Sequence, residues 1–229
     1  MDKVASLRVR LSEIINNKNK LLSQPYSLEQ NILITRLAVE ENEIKRLLAS
    51  YTGVQKEQRE RQRYCDLLLF RDSAFIPLGH VQFAILNSER ELEIIRLENS
   101  ITQDQFFMNG NQLQIKLLDL LVMNGDVSFR DRTQQVSILK RENRRLTEDK
   151  EIKKQKLDIC RRKKIFSQIE FNHTYGYATP DACEFQMNLL RNTPVLTEQS
   201  EQTILSSYPQ KEVDDMNQNA VNLKLVYKK

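Results

Sequence analysis

The sequence predicts an all-α protein, and three observations carry that prediction. Apolar residues recur at alternating spacings of three and four, as in Val4, Leu7, Leu11 and Ile14 and again in Val136, Leu139, Asn143 and Leu146. That spacing keeps one stripe of a helix turned toward a partner helix. Charged residues make up 29% of the chain, and the mean hydropathy is −0.56. Helix breakers are scarce, with five Gly and five Pro in 229 residues. Such a composition suits long helices that cover a narrow seam. An apolar fraction of 40% is too high for a wholly disordered chain.

The punctuation divides the chain into an expected 1–71 of N-terminal coiled-coil helices, a helical module over 72–125, a basic coiled-coil helix over 126–171, and a mostly irregular 172–229. A first helix over 2–23 ends before Pro25, which has no backbone donor and disfavours helix at Gln24. Ser27 and Gln30 then form a capping box that opens a long helix. Its seam is read through Leu33, Leu37, Glu40, Ile44, Leu47, Tyr51 and Val54, with Gly53 costing about 1 kcal/mol relative to Ala. Pro77 and Gly79 predict a kink or hairpin near 72–80, with a break at 77–79. Helix resumes near His80 along Val81, Ile85, Leu92 and Ile95, beside a second stripe at Ile94, Leu97 and Ile101.

Phe106 to Asn111 reads as an apolar knot and a turn, so a second break is expected at 109–111. The nearly all-apolar 113–123 reads as a short buried helix, closed by a left-handed cap at Gly125. The last long helix is expected over 128–171. Beyond it Gly176, Pro180, Pro194 and Pro209 predict irregular chain with one short helix over 180–190. Residues 221–227 alternate in polarity and read either as a strand for another protein's sheet edge or as a solvated tail.

Charge is unevenly distributed. Between Arg130 and Lys164 there are fourteen Lys or Arg against six Asp or Glu, whereas 165–229 carries five against eight. The densest basic patch is Lys153, Lys154, Lys156, Arg161, Arg162, Lys163 and Lys164. A patch of this kind attracts acidic protein surfaces, phosphate backbones or anionic lipid. No aromatic residue interleaves it, so it offers no platform for stacking bases.

Leu139 to Leu146 has the form of one leucine-zipper heptad. Asn143 either fixes register across a helix pair or is solvated on a helix whose seam lies elsewhere. Lys150 and Lys153 interrupt that seam where apolar residues belong. Basic-zipper transcription factors place their basic region before the zipper, and here the excess lies within and after it.

Nothing in the sequence assembles a catalytic, cofactor or metal site. His80 and His173 stand alone, without cysteine pairs at zinc spacing, and no glycine-rich phosphate loop or nucleophile elbow occurs. Cys183 is followed by no His that would activate it. Cys65, Cys160 and Cys183, with no secretory signal at the start, suggest a reducing compartment. No run approaches the roughly 18 apolar residues of a membrane-spanning helix.

The functional expectation is a non-enzymatic coiled-coil scaffold that bridges partners in a larger assembly. Its interaction seam would be Val4, Leu7, Leu11, Ile14, Leu37, Ile44, Leu47, Val136, Leu139, Asn143 and Leu146. Its partners would be other coiled-coil proteins, a second copy, or an acidic filament surface such as tubulin, in a cytoplasmic, cytoskeletal or ciliary setting. The alternative is nucleic-acid or nucleoprotein binding through the basic helix 130–164.

Overall fold

Caps mark several of the helix ends. The computed structural model describes residues 3–71, 78–215, 217 and 218, and the expected kink over 72–77 and the alternating 221–227 lie outside them. Six helices follow in order: α1 (Lys3–Leu22), α2 (Leu28–Arg71), α3 (Leu78–Asn124), α4 (Phe129–Thr174), α5 (Pro180–Asn192) and α6 (Glu198–Ser206). A further helical stretch covers 210–215, and the described residues contain no strand. The fold is all-α.

The expected caps are present. The Gln30 amide N–H donates to Ser27 Oγ while the Ser27 N–H donates to Gln30 Oε1, both at 3.1 Å. Gln30 Nε2 also donates to the carbonyls of Leu21 and Gln24, so one side chain closes α1 and opens α2. Gly125 has φ +82°, and the Asp126 N–H reaches back to the Leu121 carbonyl at 2.9 Å. This is a Schellman closure of α3. Ser128 Oγ then accepts from the Asp131 N–H and starts α4. Gly176, at φ +69°, closes α4 in the same manner, with the Tyr177 N–H on the Asn172 carbonyl.

Two expectations are corrected. No break occurs at 109–111, because α3 runs through Gly110 without interruption. Phe106 to Asn111 is helix interior held by tertiary contacts: Asn42 Nδ2 donates to the Phe106 carbonyl at 3.0 Å, and Asn111 Nδ2 donates to Asn143 at 2.9 Å. Packing overrides the local turn signal.

The described part of 172–229 is also not irregular. Pro180 occupies the first turn of α5 behind the N-cap Thr179, Pro194 follows the C-cap Thr193, and Pro209 precedes the stretch at 210–215. These prolines punctuate helices; they do not abolish them. Thr197 and Ser200 form a capping box that opens α6.

The chain divides into two compact units, each of which takes segments of α2, α3 and α4. Unit 1 is Met1–Cys65 with Ile95–Lys156, and unit 2 is Asp66–Ile94 with Leu157–Lys229. The boundaries expected at 71, 125 and 171 lie near helix ends, not at the edges of these units.

In unit 1, α2 and α3 run antiparallel, and so do α3 and α4. Arg10 meets Glu40, and Lys18 meets Glu41, between α1 and α2. Arg96 meets Glu57, and Arg46 meets Gln103, between α2 and α3. Asp119 meets Arg132, and Asp104 meets Lys153, between α3 and α4. Gly53 is buried because α3 passes close by: a Cβ there would lie 2.3–2.6 Å from the Asn99 side-chain amide. The helix-weakening glycine is thus the residue that admits Asn99.

In unit 2, α3 pairs with α4 through Glu91 with Lys164 and Asn87 with Gln168, and the Phe83 and Phe171 rings stack with centroids 4.0 Å apart. Ile165 and Ile169 of α4 form a core with Cys183, Leu190, Leu196 and Ile204. Gln186, only 1% exposed, donates through Nε2 to the carbonyls of Leu205 and Ser207, closing the end of α6.

Candidate interaction surface

The inward stripe of α4 in unit 1 is the one the heptad spacing points to. Val136 is buried, and Leu139, Asn143 and Leu146 are half-buried. Their partner is α3 of the same chain. Asn143 accepts a hydrogen bond from Asn111, and Arg132 reaches Asp119 at 2.6 Å. The polar interruptions of the seam are satisfied there as well: Lys153 pairs with Asp104, and Lys150 bonds Gln105.

The N-terminal seam follows the same pattern. Ile14 is buried, Val4, Leu7 and Leu11 are half-buried, and the α1–α2 ion pairs lie alongside. In α2, Ile44 is buried and Leu37 and Leu47 are half-buried. Leu33, Tyr51 and Val54, expected on that seam, are exposed, and Ile32, Thr35 and Gly53 take the inward positions. The stripe shifts because Thr35, whose hydroxyl bonds the Asn31 carbonyl, and Gly53 both pack inward although neither reads as apolar.

Four residues of the expected basic patch, Lys153, Arg161, Arg162 and Lys164, are engaged inside the fold. In unit 1, Lys153 holds Asp104, while Lys154 makes only an exposed pair with Glu151 of the same helix, at 2.7 Å. In unit 2, Arg161 donates to the Leu196 carbonyl at 2.6 Å. Arg162 pairs with Asp158 and also donates to the carbonyls of Leu190, Thr193 and Pro194. Lys164 sits 2.7 Å from both Glu91 and Glu201. Burial works against its charge, but Glu201 and Glu91 outweigh burial and hold its pKa above the usual lysine value. Lys156 and Lys163 are exposed and have no ion-pair partner among the described residues.

Positive charge that remains available in unit 1 lies earlier on α4. Lys140, Arg141, Arg144 and Arg145 are all exposed. Lys140, Arg141 and Arg144 have no ion-pair partner among the described residues, and Arg145 only approaches Asp149 at 3.8 Å. At 3.6 residues per turn, Arg141 and Arg145 project opposite Asn143. Ile138 and Ile152 share that outer side and are 56% and 52% exposed. An open groove of about 290 Å³ adjoins Ile138, lined by Leu117, Leu118 and Leu121 of α3 and by Leu139 of α4.

The segment 113–123, expected to be buried, therefore keeps one side accessible: Leu120 is buried, the other leucines are half-buried, and Met123 is 71% exposed. Heptad reading missed this outer side because it follows one stripe. The signal was Ile138 and Ile152, apolar residues out of phase with Val136 and Asn143.

The groups that could carry chemistry are engaged structurally. His80 Nε2 lies 2.9 Å from the Tyr177 hydroxyl, and its ring packs on Phe171 and Tyr175. Burial, aided by Glu212, pushes the Cys183 thiol up, and burial with Glu93 does the same for Cys160. Both thiols are thereby kept from the thiolate form that nucleophilic chemistry uses. Among the described residues, no group of three His, Cys, Asp or Glu could hold a metal ion, and no helix is long and apolar enough to cross a membrane. No protein-family model, no curated protein and no solved structure matches the chain.

Proposed function

We propose that this chain is a non-enzymatic structural protein that positions partners in a larger assembly, and that the outer side of α4 in unit 1 is its docking surface. One observation carries this reading: Arg141 and Arg145 stand exposed on the outer side that Ile138 and Ile152 share, with Lys140 and Arg144 exposed on its flank. Charged residues without internal partners steer an acidic surface into contact, and exposed apolar residues hold it once water is expelled. The setting that suits such a surface is a cytoplasmic acidic filament, of the microtubule or axonemal kind, or an acidic coiled-coil partner. Nucleic-acid binding through 130–164 draws less support, since Lys153, Arg161, Arg162 and Lys164 are engaged inside the fold.

The test is co-sedimentation of the full chain with stabilised microtubules across a salt series, beside the variant Lys140→Glu/Arg141→Glu/Arg144→Glu/Arg145→Glu. Pelleting that weakens with salt and drops at least about tenfold in the variant is the expected result. A chain that stays in the supernatant at low salt, or a variant that pellets equally, overturns the filament reading. Tighter binding of duplex DNA than of microtubules, with a steep salt slope, would favour the nucleic-acid reading instead.

A further inference from the structure

Unit 2 contains a second concave surface, built from residues that the surface at 138–152 does not use. An open trough of about 610 Å³ lies between α4 and α5, with Arg90 of α3 at its rim. Phe166, Met187 and Leu190 give it an apolar floor, and Arg90, Lys163 and Arg191 line it with positive charge. Phe166 is 39% exposed, an uncovered aromatic ring in a concave setting.

The charges differ in how far they are engaged. Arg162 is taken up by Asp158 and by three carbonyls. Arg90 donates one N–H to the Lys163 carbonyl at 3.3 Å, and Arg191 approaches Asn188 only at 3.5 Å. Lys163 is exposed and has no ion-pair partner among the described residues. Glu170 is the one acidic residue of the lining. The trough thus keeps a positive excess around an apolar strip.

We infer that this trough binds an acidic amphipathic helix of a partner protein, with apolar anchors on Phe166 and Met187 and carboxylates facing Lys163, Arg90 and Arg191. Helices read such sites through anchors at i, i+3, i+4 and i+7. The trough presents its side chains at that same spacing: Lys163, Phe166 and Glu170 on α4, and Met187, Leu190 and Arg191 on α5. Charge complementarity selects an acidic ligand over a basic one by rate and by rejection of like charge. With the α4 surface of unit 1, this site gives the chain two independent partner surfaces.

The experiment selects binders to the full chain from a displayed library of helix-forming peptides of roughly 16 residues, a length at which isolated helices are marginal but form on docking. Winners are titrated against the wild type, Lys163→Glu/Arg191→Glu, Phe166→Ser, and Arg141→Glu/Arg145→Glu, with circular dichroism confirming that each variant folds. Neither Lys163 nor Arg191 is buried, so their replacement leaves the core intact. The expected winners carry Asp or Glu flanking apolar residues at helical spacing. Their affinity falls at least about tenfold in the first two variants and is unchanged in the third.

Basic or uncharged winners, an empty selection, or binding insensitive to Lys163, Arg191 and Phe166 overturn the inference. So do phosphatidylserine vesicles that bind with the same variant dependence and displace the peptide, which would assign the trough to a lipid surface. Failure of the microtubule assay leaves this result unaffected, since the two tests use different residues.

Discussion

Asn143 holds the position where a dimeric zipper would place a register-setting asparagine, yet its partner is Asn111 on α3 of the same chain, at 2.9 Å. Asn111 is only 9% exposed, so its amide depends on that bond and on the longer contact with Glu142 at 3.4 Å. In a zipper dimer, Asn143→Leu would tighten association and loosen register. Within this fold it strands a buried amide, which costs about 1–2 kcal/mol. Replacing both asparagines by leucine removes donor and acceptor together and recovers most of the loss. Urea denaturation of the wild type, both single variants and the double variant measures the coupling, and light scattering follows oligomeric state. An Asn143→Leu chain that gains stability or becomes dimeric would show that the zipper reading holds. The sequence displayed the helix face and the asparagine. It could not display the partner, because an inward stripe looks the same whether a second chain or a later helix covers it.

At the scale of elements, the end of α5 is held by a single guanidinium. Arg162 donates to the carbonyls of Leu190 and Thr193, at 2.9 and 2.7 Å, while Asp158 accepts from both Arg162 and the Leu196 N–H. The end of α5 and the turn into α6 are thereby tied to α4 by one charged pair, with Arg161 adding a bond to the Leu196 carbonyl. Arg162→Gln keeps a polar side chain but loses the fork, so these carbonyls lose charged donors worth about 1.5–3 kcal/mol each in favourable cases. The expected outcome is faster amide exchange across 180–206 while 28–65 keeps its protection, read by mass spectrometry. Uniform loss in both stretches, or none, would contradict this role. It also explains why the basic run at 161–164 misleads as a ligand patch: clustered Lys and Arg look alike whether they face solvent or helix ends. The three prolines were legible as punctuation, but the helices they separate are short. The deciding evidence for those helices, burial of Cys183, Leu190 and Ile204 against Ile165 and Ile169, joins residues distant in sequence.

For the whole molecule, the all-α class and most helix ends were legible, because caps and heptad spacing are local. The two units were not, since each takes pieces of α2, α3 and α4 and no punctuation marks their edges. Their charge networks differ, and pH separates them. In unit 1, burial would raise Glu41, but Lys18 and Lys45 at 2.6 Å hold its carboxyl below the ordinary 4.5. Arg96 and Arg61 do the same for Glu57. A carboxylate depressed in the fold contributes stability that is present above 4.5 and lost as pH falls through its folded value. In unit 2 the sign reverses: Lys164 is raised above the ordinary 10.5, so its own titration removes stability as pH climbs past that value. The urea midpoint is therefore expected to be flat near neutrality and to fall as pH drops from about 5 to 3, through groups of unit 1. Glu41→Gln lowers the neutral midpoint, because Lys18 and Lys45 lose their shared partner, and makes the acid slope shallower. Lys164→Gln removes part of the alkaline slope. An acid slope that Glu41→Gln does not alter would mean that these ion pairs carry no stability, as exposed pairs often do not. The expectation here differs because the Glu41 side chain is only 13% exposed and bridges two ammonium groups from different helices.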